Sequence, residues 1–500
     1  MADGIIRAAM ATLVAIVCAM DGALGSPSYY VAPDGDDRNP GTLAAPWRRI
    51  QFAAERVAPG STVFIRDGLY RERVTIRVSG NPIDGYIRFR GYPGERPIID
   101  AAGLGTPSAP NGLFLIANRS YIAIEGLELR NARTALRDRV PTGIHVRGGS
   151  HHIQLNDNLI HAIAHDGTMR IGADAHAIAV YGSDPVAPIH DLQIKGNDVF
   201  DLRLGSSEAI AINGNVAGFE VTDNRVHDCN NIGIDAIGFE RVSPDPSTDQ
   251  ARDGVISGNL VYNIDSFGNP AYGRDRSAAG IYVDGGRDIV IERNQVHDAN
   301  IGIELASEHP GRTTDGITVR SNMIYRNDIV GIYLGGYDRR RGGTSRCALV
   351  GNTLFENDRL RWGIGEIGLQ YQVTETRIVN NLVSANPQGV FITGRFPGDG
   401  SNFVDHNVYF ARSGAANGLW QWNGTRYRGF DRYRDDTGND THSSFVEPRF
   451  VDPGLPDLHL RPDSPAIGSG DNRQASGRFD IDHQARVRNI VDSGADETRW

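Results

Sequence analysis

The stretch Gly280–Gly286, GIYVDGG, returns at Gly302–Glu308 as GIELASE. The same opening of a small residue followed by isoleucine stands at Ile144, Ile178, Ile210, Ile234 and Ile332. Working outward from each copy, the chain alternates apolar and polar residues, reaches an asparagine, and places an apolar side chain two residues later. The asparagines are Asn158, Asn197, Asn224, Asn259, Asn294, Asn322, Asn352, Asn381 and Asn407, spaced 26 to 39 residues apart. Short period-two strands bounded by Gly and Asn at that interval fit a parallel β-helix, in which each coil stacks about 4.8 Å above the last. Equivalent positions then form columns. Asparagine suits a tight corner because it tolerates left-handed dihedrals, and its amide can bond to the asparagine of the next coil. Three residues beyond most of them come rings: His161, Phe200, His227, Tyr262, His297, Tyr325, Phe355 and Phe410. A ring column is a stack, so these histidines read as packing, not as metal ligands.

If the isoleucines point inward, the residue after each points outward. That column is His145, Ala179, Ala211, Asp235, Tyr282, Glu304 and Tyr333; two residues on, it is Arg147, Tyr181, Asn213, Ile237, Asp284, Ala306 and Gly335. Acidic and tyrosine residues thus gather on one face of consecutive coils, where the pattern predicts solvent exposure. Insertions flank that face. The span from Gly280 to Asn294 is short, whereas Gly233 to Asn259, Gly302 to Asn322, Gly331 to Asn352 and Asn259 to Gly280 are long. Such loops would wall a groove able to hold a chain-like ligand. They carry Arg241, Arg252, Arg274, Arg276, Arg312, Arg339, Arg340 and Arg341, with Glu308, His309, Tyr337 and Asp338. Arginine and tyrosine suit carboxylated or neutral sugars by bidentate pairing and stacking.

The chain has 500 residues, long for one compact domain but not for a repeat architecture. Its formal net charge of -10 argues against nucleic acid as a partner. Arg7, the apolar run Ala8–Met20 and the small residues up to Gly25 read as a secretory signal over residues 1–25, and no later window is apolar enough to span a bilayer. Cys229 and Cys347 lie several coils apart, so no disulfide is expected. An amphipathic helix from about Pro46 to Val57, with Ile50, Ala53, Ala54 and Val57 on one side, should cover the open first rung. The expected organisation is a cap with first coils over 26–110, a β-helix over 111–410 and an irregular C-terminal extension over 411–500.

The opening YYVAPDGDDRNPGTLAAPWRRIQFAAERVAPGSTVFIRDGLYRE, the GI strands, and the endings DLHLRPDSPAIGSGD and DSGADE resemble secreted right-handed parallel β-helix proteins of the pectate-lyase superfamily. The N-terminal region is most similar to polysaccharide lyase family nine. The resemblance implies an all-β solenoid and a polysaccharide substrate, on a scaffold that also hosts hydrolases, epimerases and non-catalytic surface proteins. In that family a lysine near an aspartate-rich calcium site accepts the proton. Here the sole lysine, Lys195, precedes the asparagine corner and lies on another face.

Three chemistries suit the acidic columns. Asp284 and Glu304 could be the acid and base of an inverting glycoside hydrolase. Asp235, Asp284 and Glu304 could instead hold calcium against a uronate carboxylate, with arginine or tyrosine taking the C5 proton, as in a lyase or epimerase. A non-catalytic carbohydrate-binding protein is the third reading. The expectation is a lyase: Asp284, Glu304 and Arg276 catalytic; Tyr282, Tyr333, Arg339, Arg340, Arg341 and His309 binding substrate; the protein a secreted monomer acting on an extracellular polysaccharide.

Overall fold

The computed structural model describes residues 27–398, 400–487 and 489–498; the expected signal, residues 1–25, lies outside the described residues. Three long parallel sheets run along the molecule. One coil shows the plan. Ala279–Asp284 lies in the first sheet, Arg287–Glu292 in the second and Gln295–Ala299 in the third, before Ile301–Ala306 returns to the first. This is a right-handed parallel β-helix, the hand that connections between parallel strands almost always take.

The first sheet keeps the register anticipated from the GI repeat. Ile144, Ile178, Ile210, Ile234, Ile281, Ile303 and Ile332 pair coil to coil, then Ile367, and all are fully buried. Each such side chain stabilises the fold by about 1.5–3 kcal/mol relative to exposure. The asparagines form an unbroken ladder: each Nδ2 from Asn158 onward donates to the Oδ1 of the next, at 2.9–3.1 Å, as far as Asn407. Asn407 ends it on Asp440 Oδ1 at 3.1 Å. The ring column stacks from His161 to Tyr325 at 4.7–5.2 Å. Phe355 instead turns an edge to Phe450, because the C-terminal segment packs there.

The N-terminal helix is shorter than expected, Ile50–Ala54. Its anticipated first turn is consumed by pairing: Trp47 bridges Val31 and donates its N–H to Tyr30 O. Ile50, Ala53, Ala54 and Val57 are nevertheless buried. Gln51 finishes the open rung. Its Oε1 accepts from Thr75 N and its Nε2 donates to Thr75 O, as a neighbouring strand would. At the other end Leu419–Trp422 still adds a strand to the first sheet, and the helix Phe430–Thr437 covers the core with Tyr433 stacked on Trp420 at 5.2 Å. The tail then returns along the flank, where Asp471 N donates to Asn380 Oδ1 and Ala495 N to Thr353 Oγ1.

Candidate functional site

On the outward face of the first sheet, register pairs Ala211 with Asp235, Asp235 with Tyr282, Tyr282 with Glu304 and Glu304 with Tyr333. Asp284 stands two residues along from Tyr282, paired with Ala306. The expectation that these positions are open to solvent is corrected: Asp235 is 2 % exposed, Asp284 5 % and Tyr282 6 %. The wall loops fold over them.

One wall is the loop after Ile237, shaped by the buried Asp249, which accepts from Arg241 N and Ser243 N. It carries Glu240, whose Oε2 accepts from Asn213 Nδ2 at 2.8 Å. The next wall follows Ala306. Glu308 N donates to Asp284 Oδ1 at 2.8 Å, and His309 sets its ring edge-on to Phe239. Arg341, from the loop after Leu334, braces this wall by donating to Glu308 O at 2.9 Å. Ligand atoms of Glu240, Asp284 and His309 lie within 4.8 Å of one another. Three buried atoms on these residues have no hydrogen-bond partner: Asp235 Oδ1, His309 Nε2 and Asn213 Oδ1.

Carboxyls crowded in this way resist ionisation. Burial, then the charge of Glu308, holds Asp284 well above the ordinary range, against the bond from Glu308 N–H. Burial and then Glu208 do the same for Asp235, and burial and then Glu240 for Glu208. Glu304 is pushed up to about 8 by burial and by Glu308. The Gln370 amide lies beside Glu304 without closing a hydrogen bond to it.

The candidates do not all converge. Asp235 and Glu304 are two rungs apart, about 10 Å, with Tyr282 between them, so the expected trio Asp235, Asp284 and Glu304 cannot share one ion. Arg276 is spent on Asp265 at 2.6 Å and Asp328 at 3.0 Å, so it is not the free base or carboxylate partner expected. Arg340 pairs with Asp338 and is exposed, as is Arg339. Arg341 and His309 do line the wall beside Asp284 and Glu308. Tyr333 lies against Gly368, where a Cβ would come within 2.5 Å of its ring.

Several residues escaped the sequence reading. Glu208 and Glu240 join the carboxyl cluster from loops without the repeat. Arg395 sits close enough to Tyr333 to favour its phenolate. Beyond Gln370 opens a cleft of about 440 Å³ lined by Tyr371, Phe396, Trp422, Asn402 and Asn423. Towards the N-terminal end a cavity of about 120 Å³ holds His145, His176 and Tyr181. His145 Nδ1 bonds Asn111 O, leaving a buried Nε2 without a partner, and burial lowers this imidazole to about 4.

Residues 29–184 match the family model "Pel9A-like, right handed beta helix region", and residues 142–354 match "Right handed beta helix region". The uncharacterized protein YwoF of Bacillus subtilis is 40 % identical over 444 residues, 88 % of this chain and 92 % of that one. Pectate lyase PEL9 of Emericella nidulans is 33 % identical over 152 residues, covering 28 % of this chain and only 35 % of the lyase. The crystal structure of pectate lyase Pel9A superposes with a TM-score of 0.52 at 14 % identity, over 95 % of this chain and 97 % of that one, a likeness of fold.

Proposed function

Because the chain belongs to the family of right-handed β-helix, pectate-lyase-like proteins that includes YwoF, we propose that it acts outside the cell on a uronate-containing polysaccharide, cleaving it by β-elimination over Asp284 and Glu304. The observation that supports this reading is the buried carboxyl cluster on the outward face of the first sheet, walled at mid-solenoid by inserted loops.

The residues have separable roles. His309, whose Nε2 is buried and without a partner in the unliganded fold, would take the C5 proton of the uronate once its ring turns into the groove. Glu304, protonated up to about 8, gives its proton to O4 as the C4–O4 bond breaks and the C4=C5 double bond forms. No water is consumed. Tyr333, Arg395 and the aromatic cleft bind the sugars on the leaving side, with Arg395 meeting a carboxylate.

A cation held in this cluster would keep the carboxyls that bind it ionised and offer an anionic chain a positive partner. Asp284 and Glu240, whose ligand atoms lie within 4.8 Å of each other, would hold calcium, with the orphaned Asp235 Oδ1 buried beside Asp284. When bound, the ion would neutralise the substrate carboxylate and acidify the C5 proton. A second reading is favoured by one spacing: Asp284 and Glu304, one rung and two residues apart, have Cβ atoms separated by about 8 Å. That gap would suit inverting hydrolysis, with one carboxyl as acid and the other as base.

The test is to incubate the mature protein with acidic and neutral polysaccharides, with calcium or with chelator, following both ultraviolet absorbance of unsaturated ends and reducing ends. Absorbance that depends on calcium is expected. Reducing ends without absorbance would replace elimination by hydrolysis, and silence in both would overturn the reading in favour of binding alone.

A further inference from the structure

The second sheet carries a cluster that neither the carboxyl site nor the solenoid's packing explains. Its strands Ser120–Glu125, His151–Asn156 and His190–Lys195 lie on adjacent coils, with His151 paired to His190. In a regular strand His151 and His152 would project to opposite faces. They do not, because His152 and Asp191 take left-handed dihedrals, φ 53° and 50°, which roll each side chain beside that of its predecessor. The result is a convergence of donors. His190 Nδ1 is 2.7 Å from Asp191 Oδ2, His152 Nδ1 is 3.5 Å from the same oxygen, and His151 Nδ1 is 3.0 Å from His152 Nδ1. One ligand atom each from His152, His190 and Asp191 lies within 4.8 Å of the other two.

We infer that His152, His190 and Asp191 form a binding site for a divalent transition metal of the zinc class, with water in the fourth position. Zinc bound to nitrogen or oxygen at about 2.0–2.1 Å places tetrahedral ligand atoms about 3.3 Å apart. Two of the three edges, 2.7 and 3.5 Å, bracket that value and the third is within 4.8 Å, so side-chain rotation that also frees His152 Nδ1 from His151 closes the shell. Imidazole nitrogens with one carboxylate select zinc, cobalt or nickel over calcium, which takes oxygen donors. The rings are held in place for the task. Tyr121 stacks on His152 at 4.2 Å, and His151 lies parallel to His190 at 4.9 Å, which makes Tyr121 and His151 positioning residues. The site is accessible: the side chains of His152, His190 and Asp191 are 28 %, 41 % and 59 % exposed. An ion here would staple two successive coils and stabilise the folded chain by mass action.

The test is cobalt titration of untagged, metal-stripped protein, read by visible absorption, with zinc competition and thermal unfolding as second readouts. The expectation is one zinc-displaceable tetrahedral cobalt site that survives Asp284→Asn. His190→Ala and Asp191→Asn should each weaken it by at least about tenfold, without changing the metal-free unfolding temperature. Absence of tetrahedral absorption, or absorption indifferent to both flank substitutions, would overturn the inference. A signal lost in Asp284→Asn alone would overturn it too, by assigning the ion to the carboxyl site.

Discussion

Glu304 is the residue whose environment makes the sharpest statement. Burial and Glu308 raise it from the usual carboxylate range to about 8, so near neutrality it keeps the proton a general acid must give. The rate should therefore fall as pH rises through about 8. Glu304→Gln should reduce kcat by about 10²–10⁴-fold and move KM little, as initial-rate profiles would show. The sign for stability follows from the same shift. Between the ordinary carboxylate value and about 8 the folded chain binds the extra proton, so stability declines as pH rises across that window. Denaturant titrations at its two ends should show a smaller difference in Glu304→Gln than in the parent. Gly368 makes a steric counterpart. Gly368→Ala would drive a Cβ into the ring of Tyr333, and we expect a raised KM with the fold intact by circular dichroism.

At the scale of the element, what repeats was legible and what interrupts the repeat was not. The outward column follows from the two-residue period and the GI phrase, because one buried isoleucine per coil fixes every neighbour. The asparagine ladder was equally readable. Asn259 Oδ1 accepts from both Asn224 N and Asn224 Nδ2, at 3.0 Å each. Asn259→Ala would strand two buried donors and should destabilise by about 1–3 kcal/mol in equilibrium unfolding. Loops obey no such period. Glu240 and Glu208 reach the site from segments whose course is set by local bonds such as those to Asp249, and Arg276 is drawn off by Asp265 and Asp328, which no spacing announces. The capping helix was overextended for a similar reason: Trp47 pairs with the first strand, a contact remote from the helical pattern.

For the whole molecule, one core runs from Val31 to Tyr433, so the coils stack as a rigid track with the carboxyl cluster at its middle. Among the described residues no helix is long and apolar enough to cross a membrane. The chain's net charge of -10 opposes an anionic polymer unless a bound cation offsets it. Chelation should therefore abolish turnover of a uronate polymer and spare any turnover of a neutral one, measured on matched substrates. The central claim is that chemistry takes place over the outward acidic column. It is tested most directly by comparing initial rates of the parent and Asp284→Asn on the best substrate of the panel, after circular dichroism shows both folded. A loss of about 10²-fold or more is predicted. Equal rates would contradict the account and move the chemistry elsewhere on the solenoid.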